Sequence, residues 1–237
     1  MTLEELGKKV KYLEQKVQKL DDIEAIERLQ KAYGFYLERG MYQEIVDCFS
    51  DSPDVTLNWL QGQYRGKEGI KTYFAYLSKE FAPPRFLHQL MQLAGIVDVN
   101  ADGVTAQGRW YGFGPVFFPE SMGGQRILFS GIYESKYVKE DGVWKILSFK
   151  WMMPYTLDIP SGWNLPEDIN AHFLRGEFDD PEPQIPLDVN DPRYMNGYIL
   201  PFHYRHPVTG KVTSESKLNA ALASKKEKEF DGRYTEG

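Results

Sequence analysis

The periodicities along this 237-residue chain predict an α+β fold: a cone-shaped α+β barrel with N-terminal helices packed in a curved antiparallel sheet. An N-terminal helical extension precedes it and a long C-terminal arm follows. Apolar residues keep helical spacing as far as Pro83-Pro84, and a strand period takes over from Phe86. Asp102-Gly103 and Asp141-Gly142 then mark tight hairpin turns between long β-rich segments.

The extension covers residues 1–20. Leu3, Leu6, Val10, Leu13, Val17 and Leu20 alternate spacings of three and four, the seam of a short coiled coil. A seam this short is marginal alone, so it is expected to pack on a neighbouring subunit, on its own domain or on an external partner. Asp21 and Glu24 read as a capping box that restarts the helix at the head of the main domain, residues 21–155. Ile23, Ile26, Leu29 and Tyr33 continue as a buried stripe, and Gly40 terminates it. A second helix turns Ile45, Val46 and Phe49 inward. A short strand over residues 55–60 leads through Gly62 and Gly66 into a third helix. That helix buries Ile70, Tyr73, Phe74, Leu77 and Phe81 before the two prolines stop it.

The β-rich segments span residues 86–99, 104–118, 126–139 and 143–155, with a longer turn over 119–124. The last of them, ending ILSFKWMMPY, is apolar at nearly every position, so both sheet faces are expected to be covered. The helices would cover one and a symmetry-related sheet the other. Residues 156–237 differ: prolines recur, no amphipathic period persists, and Trp163, Phe173, Phe178, Tyr194, Tyr198 and Phe202 are too aromatic for a solvated tail. They read as an extended arm that wraps its own domain or a neighbour, frayed beyond Lys217.

Bulk composition narrows the function. A hydrophobic share of 42% supports a full core, and the net charge of −6 argues against nucleic acid or anionic membrane as a partner. The one cysteine, Cys48, excludes an internal disulfide and offers no metal cluster, which fits a reducing, cytoplasmic setting. The charged amino terminus does not read as a signal peptide, and no stretch approaches a membrane span. An aromatic share of 14% is explained by thick packing or by a pocket for ring-shaped ligands.

Tyr33, Glu38 and His88 are the candidate chemistry, because phenol, carboxylate and imidazole suffice for proton transfer without a cofactor. Each has a structural alternative. Tyr33 lies on the inward stripe and could be a core residue. Glu38, about 140° around an ideal helix from Tyr33, could be an exposed helix end unless the helix loosens near Gly40. His88 stands in the apolar stretch FLHQLMQLAG, as either a hydrogen-bonded core residue or a base. His172, His203 and His206 lie in the arm and are read as structural or surface residues, so no metal site is expected. With no glycine-rich nucleotide loop, no zinc motif and no nucleophile elbow, no cofactor is expected.

The stretches DIEAIERLQKAYGFYLERGMY, GQYRGKEGIKTYF, FLHQL and YESKYVKEDGVWKILSFKW resemble the SnoaL-like branch of the nuclear transport factor 2-like superfamily. The resemblance spans roughly residues 20–155. It implies a curved sheet around helices with a ligand pocket inside the cone. The branch includes scytalone dehydratase, bile acid 7α-dehydratase, ketosteroid isomerase, a hexachlorocyclohexane dehydrochlorinase and cofactor-free formaldehyde lyases of lignin-derived diaryl dimers. By that resemblance Tyr33 matches a pocket tyrosine, Glu38 an aspartate and His88 the catalytic histidine of the dehydratases. Trp59 matches a second pocket tyrosine, and Tyr133 and Met153 match polar strand residues that contact substrate. Asn58, Arg126 and Phe129 complete the expected substrate-binding set.

Glutamate in place of aspartate lengthens the arm by a methylene, and Trp59 and Met153 replace polar groups with apolar ones. The implied activity is therefore that of a cofactor-independent lyase on a hydrophobic, hydroxylated aromatic molecule, by dehydration or loss of formaldehyde. A ketone isomerase or a non-catalytic binding protein are the alternatives. A homo-oligomer is expected, a trimer favoured over a dimer.

Overall fold

One helix, α1 (Leu3–Glu38), runs from the amino terminus into the core without a break. The computed structural model describes residues 1–38, 40–80, 87–118, 124–159, 162–164 and 183–186. The expected restart at Asp21 and Glu24 is thus corrected: residues 1–20 are the first half of α1, not a separate element. The physical reason is tertiary. Asp22 turns inward and accepts hydrogen bonds from Trp144 Nε1 at 2.9 Å and Lys139 Nζ at 2.6 Å, which ties this turn of the continuous helix to the sheet. The capping box sits instead at the true start of the helix. There the Glu5 amide donates to Thr2 Oγ1 at 3.1 Å and the Thr2 amide to Glu5 Oε2 at 2.7 Å.

The other end of α1 closes as expected from Gly40. Its φ is 65°, its amide donates to Leu37 O at 3.2 Å, and the Met41 amide donates to Tyr36 O at 2.9 Å. These two bonds make a Schellman closure. Helix α2 (Tyr42–Asp47) follows, with Tyr42, Ile45 and Val46 buried. Strand β1 (Thr56–Trp59) forms a hairpin with β2 (Gly62–Arg65), a strand too short for its period to be read. Helix α3 (Gly66–Glu80) then buries Ile70, Tyr73 and Phe74. Phe81, the Pro83-Pro84 stop, residues 119–123 of the middle turn, and His172, His203 and His206 lie outside the described residues.

The sheet is a meander of β3 (Leu87–His88), β4 (Met91–Val99), β5 (Thr105–Phe117), β6 (Arg126–Glu140) and β7 (Val143–Asp158). The single strand expected over residues 86–99 is divided in two, and both parts pair with β5. Strand β1 joins the far side of β7 in parallel. Of the arm, β8 (Gly162–Asn164) pairs with β7 and β9 (Ile185–Pro186) with β2. Among the described residues the path β3-β5-β6-β7-β1-β2-β9 does not close on itself. Register shifts at Leu93/Ile96, Ser130/Ile132 and Lys136/Tyr137 introduce bulges that curl the long strands. The result is an α+β cone, a curved open sheet with the helices in its hollow.

Small residues on the inner face make room for large ones. A β-carbon at Gly112 would lie 2.4 Å from the Trp151 ring and 2.5 Å from Tyr133, and one at Gly131 would lie 2.3 Å from Trp151. The stripe Asp22, Ile26, Gln30, Tyr33 and Leu37 of α1 packs onto this face. On the outer face Met91, Leu93, Ile96, Tyr111 and Phe113 are exposed.

Candidate active site

The interior of the cone is an aromatic stack. Tyr33 packs on Phe149 with centroids 4.6 Å apart, and Tyr133 lies on the same ring at 4.8 Å. Tyr133 continues to Trp151 at 4.4 Å, and Trp151 stacks on Trp59 at 6.0 Å. The structure therefore gathers Tyr33, Tyr133 and Trp59 through two residues the sequence reading did not single out, Phe149 and Trp151. Both phenols are buried, and that burial raises their pKa values, well above the ordinary range for Tyr33. Each stays a neutral donor across the working pH range. Tyr133 Oη has no hydrogen bond of ordinary geometry among the described residues, although the Gln92 side chain stands close enough to lower its pKa slightly.

His88 enters from the short strand β3, opposite Val116. Val116 in turn faces Ile127, and both are buried, which places His88 in the register row that points inward. The residue is half-buried, but its Nδ1 is fully enclosed. Desolvation pushes the imidazole pKa down to about 4, partly opposed by a backbone hydrogen bond. The ring is neutral at pH 7.

Glu38 is half-buried at the last position of α1. With Lys31, Gly34 and Phe35 it forms one wall of a cleft of about 260 Å³, and Leu90, Met91, Gln92 and Leu93 form the other. The cleft thus lies between the end of α1 and the chain that follows His88. Tyr33 does not line it, because α1 stays regular and the two side chains leave on different faces. Among the described residues no carboxylate contributes to the shifted pKa of His88.

The remaining expected residues are placed differently from one another. Asn58 is buried between strands. Its amide donates to Phe149 O at 3.3 Å and accepts from Gln63 Nε2 at 2.6 Å. Phe129 and Met153 are buried on β6 and β7. Arg126 pairs with Phe117, one position from the inward row, and is exposed on the opposite face. It is the residue the structure separates from the rest.

A polar relay crosses the hollow beside the stack. Trp110 Nε1 donates to Tyr137 Oη at 3.0 Å, and Tyr137 Oη donates to Gln30 Oε1 at 2.7 Å. Gln30 Nε2 then donates to Gln92 Oε1 at 2.8 Å, and Gln92 Nε2 to Leu90 O at 3.1 Å. Gln92 thus joins the buried network to the cleft that holds Glu38. The signal for Gln30 was present in the sequence, a polar residue on the stripe of Ile26, Tyr33 and Leu37.

A curved, open sheet wrapped around N-terminal helices is the cone fold of the nuclear transport factor 2-like class. The SnoaL-like domain model matches residues 18–150, and the chain belongs to that family. Among solved structures it is similar to a putative scytalone dehydratase from Novosphingobium aromaticivorans, at 19% identity and a TM-score of 0.50. That match covers 60% of this chain and 91% of the other. It is similar to a hexachlorocyclohexane dehydrochlorinase of LinA type 2 at 20% identity and TM-score 0.50, covering 62% and 94%. A putative aromatic ring hydroxylase from N. aromaticivorans gives 17% identity and TM-score 0.50, covering 64% and 97%. At these identities the likeness is one of fold.

Proposed function

We propose that the protein is a cofactor-independent lyase acting by general acid–base catalysis on a hydroxylated aromatic small molecule. The observation that carries this reading is an enclosed imidazole, neutral at pH 7, at the rim of an interior lined by aromatic rings and neutral phenols. A neutral His88 can accept a proton from a substrate hydroxyl or carbon. With a pKa of about 4 it is a weak base in the free protein, so the imidazolium needs a partner charge once formed. Glu38, in the adjoining cleft, is the carboxylate assigned to that role. Tyr33 or Tyr133 would donate to the departing hydroxyl or to a developing phenolate.

Two outcomes suit this set. In a dehydration the base removes a proton while the phenol protonates the leaving hydroxyl, and water departs. In a diaryl diol of the lignin type, loss of water first converts a para-phenol to a quinone methide. His88 then takes the proton of a primary hydroxyl, and the carbon–carbon bond breaks to release formaldehyde. Its electron pair forms a carbon–carbon double bond and returns the ring to a phenolate, and the imidazolium's proton restores the phenol. The stack through Trp59 and Trp151 favours a two-ring substrate.

Incubation with diaryl diols, followed by assay for formaldehyde and for products lighter by one water, tests the proposal. His88→Ala is expected to lower turnover about 100-fold or more. Unchanged turnover in that variant overturns the assignment, and a product of the same mass as the substrate would make the enzyme an isomerase instead.

A further inference from the structure

We propose that the first half of α1 is a pairing arm that joins two copies of this chain side by side and in parallel. Leu3, Leu6, Val10, Leu13, Val17 and Leu20 are all exposed, from 41% to 88%, in a stretch where residues 1–20 are exposed throughout. At about 100° per residue their seam points about 170° away from the stripe of Asp22, Ile26, Gln30, Tyr33 and Leu37. The helix thus carries two apolar faces in succession, and only the second meets its own sheet. The change of face is abrupt. Asp22 is pinned to Trp144 and Lys139 two residues after Leu20, while Glu24 is exposed where the seam would continue. For the described sheet to cover the seam, α1 would have to turn over.

Charge identifies the occupant. With Leu3, Val10 and Val17 at the a positions and Leu6, Leu13 and Leu20 at d, the flanking g positions hold Lys9 and Lys16. The e positions one heptad on hold Glu14 and Asp21. In a parallel pair each g residue faces the next e residue of the other helix, so Lys9 meets Glu14 and Lys16 meets Asp21, twice over by symmetry. In an antiparallel pair g faces g and e faces e, which sets lysine on lysine and acid on acid. The seam is self-complementary in one orientation only. Valine at the inner a positions with leucine at d selects two strands.

The test uses the full chain. Light scattering should give the mass of two chains, and Val17→Cys should oxidise to a linked pair, because a positions face their own counterparts in a parallel coil. Gln15→Cys, on the outer side of the helix, should stay unlinked; Cys48 is buried and does not compete. Reversing Lys9 and Lys16 to glutamate should weaken self-association about tenfold or more. Mixing that variant with one carrying Glu14→Lys and Asp21→Lys should restore pairing as a heterodimer. These residues are exposed, so the fold itself is not at stake. A mass of one or three chains overturns the proposal. So does linkage of Leu6→Cys to Val17→Cys in place of Val17→Cys to itself, which is the antiparallel signature.

Discussion

Asp22 is buried and His88 is half-buried with its Nδ1 enclosed, and the fold treats these two titratable groups in opposite ways. Burial alone would raise the Asp22 carboxyl. Hydrogen bonds from Lys139, Trp144 and Gln18, with the Lys139 charge, outweigh it and hold the group below the usual carboxylate range. Nothing around Asp22 is left to offer a ligand. At His88 enclosure wins, and the imidazole is kept neutral against its ordinary tendency. Tyr133, on the inner row of β6, adds a buried phenol whose pKa is raised by that burial. A charge held by several partners ties a structure together, whereas a desolvated neutral imidazole beside neutral phenols is a set suited to proton transfer.

Substitutions should separate the two. The largest effect is expected for His88→Ala, about 100-fold or more in turnover with a thermal midpoint near that of the parent. A large loss of stability without a change in turnover would turn His88 into a core residue. Asp22→Ala should do the reverse. It removes the carboxylate partner of the half-buried Lys139 ammonium and of the buried Trp144 indole N–H and should destabilise by about 2 kcal/mol, with turnover retained in the folded fraction. Chemical denaturation checks this.

Acid should separate them by window. The folded pKa of His88 lies below its ordinary 6.5, so its contribution is complete above that pH and is lost as the pH falls toward about 4. The loss is at most about 3 kcal/mol. The Asp22 contribution is present above its ordinary 3.8 and is lost only as the pH falls through and below that value. Stability measured across pH 4–6.5 should therefore slope in the parent and flatten in His88→Ala. Gly112→Ala comes next, at about 1–3 kcal/mol, because its new methyl meets the Tyr133 and Trp151 rings. Thr2→Ala should be smallest, under about 1 kcal/mol and confined to fraying of the first turn, read by amide exchange.

Much of this contrast was legible in the chain. The helix-to-strand change of period, the Asp-Gly turns and the glycine after α1 all correspond to described structure, because each depends on local backbone preference. The histidine stood out for the same reason a core polar residue always does, by interrupting an apolar strand. What could not be read was tertiary. Asp21 and Glu24 have the spacing of a cap, yet the helix passes through them because Asp22 is claimed from far along the chain by Trp144 and Lys139. The first long strand is divided at Gln89-Leu90, and a separate bulge at Leu93/Ile96, where Ala94 takes a φ of 49°, bends its second part. The relay through Gln30 and Gln92 joins residues 62 positions apart, and no periodicity announces such a pair. Trp151 and Phe149 looked like core and are core, but they are also what brings Tyr33, Tyr133 and Trp59 together.

The most direct measurement is an NMR titration of the His88 ring in the ligand-free protein. A midpoint near 4 is expected, rising when a hydroxylated aromatic ligand binds and Glu38 is engaged. A midpoint at the ordinary 6.5, unmoved by any such ligand, would contradict the enclosed neutral imidazole on which the proposed chemistry rests.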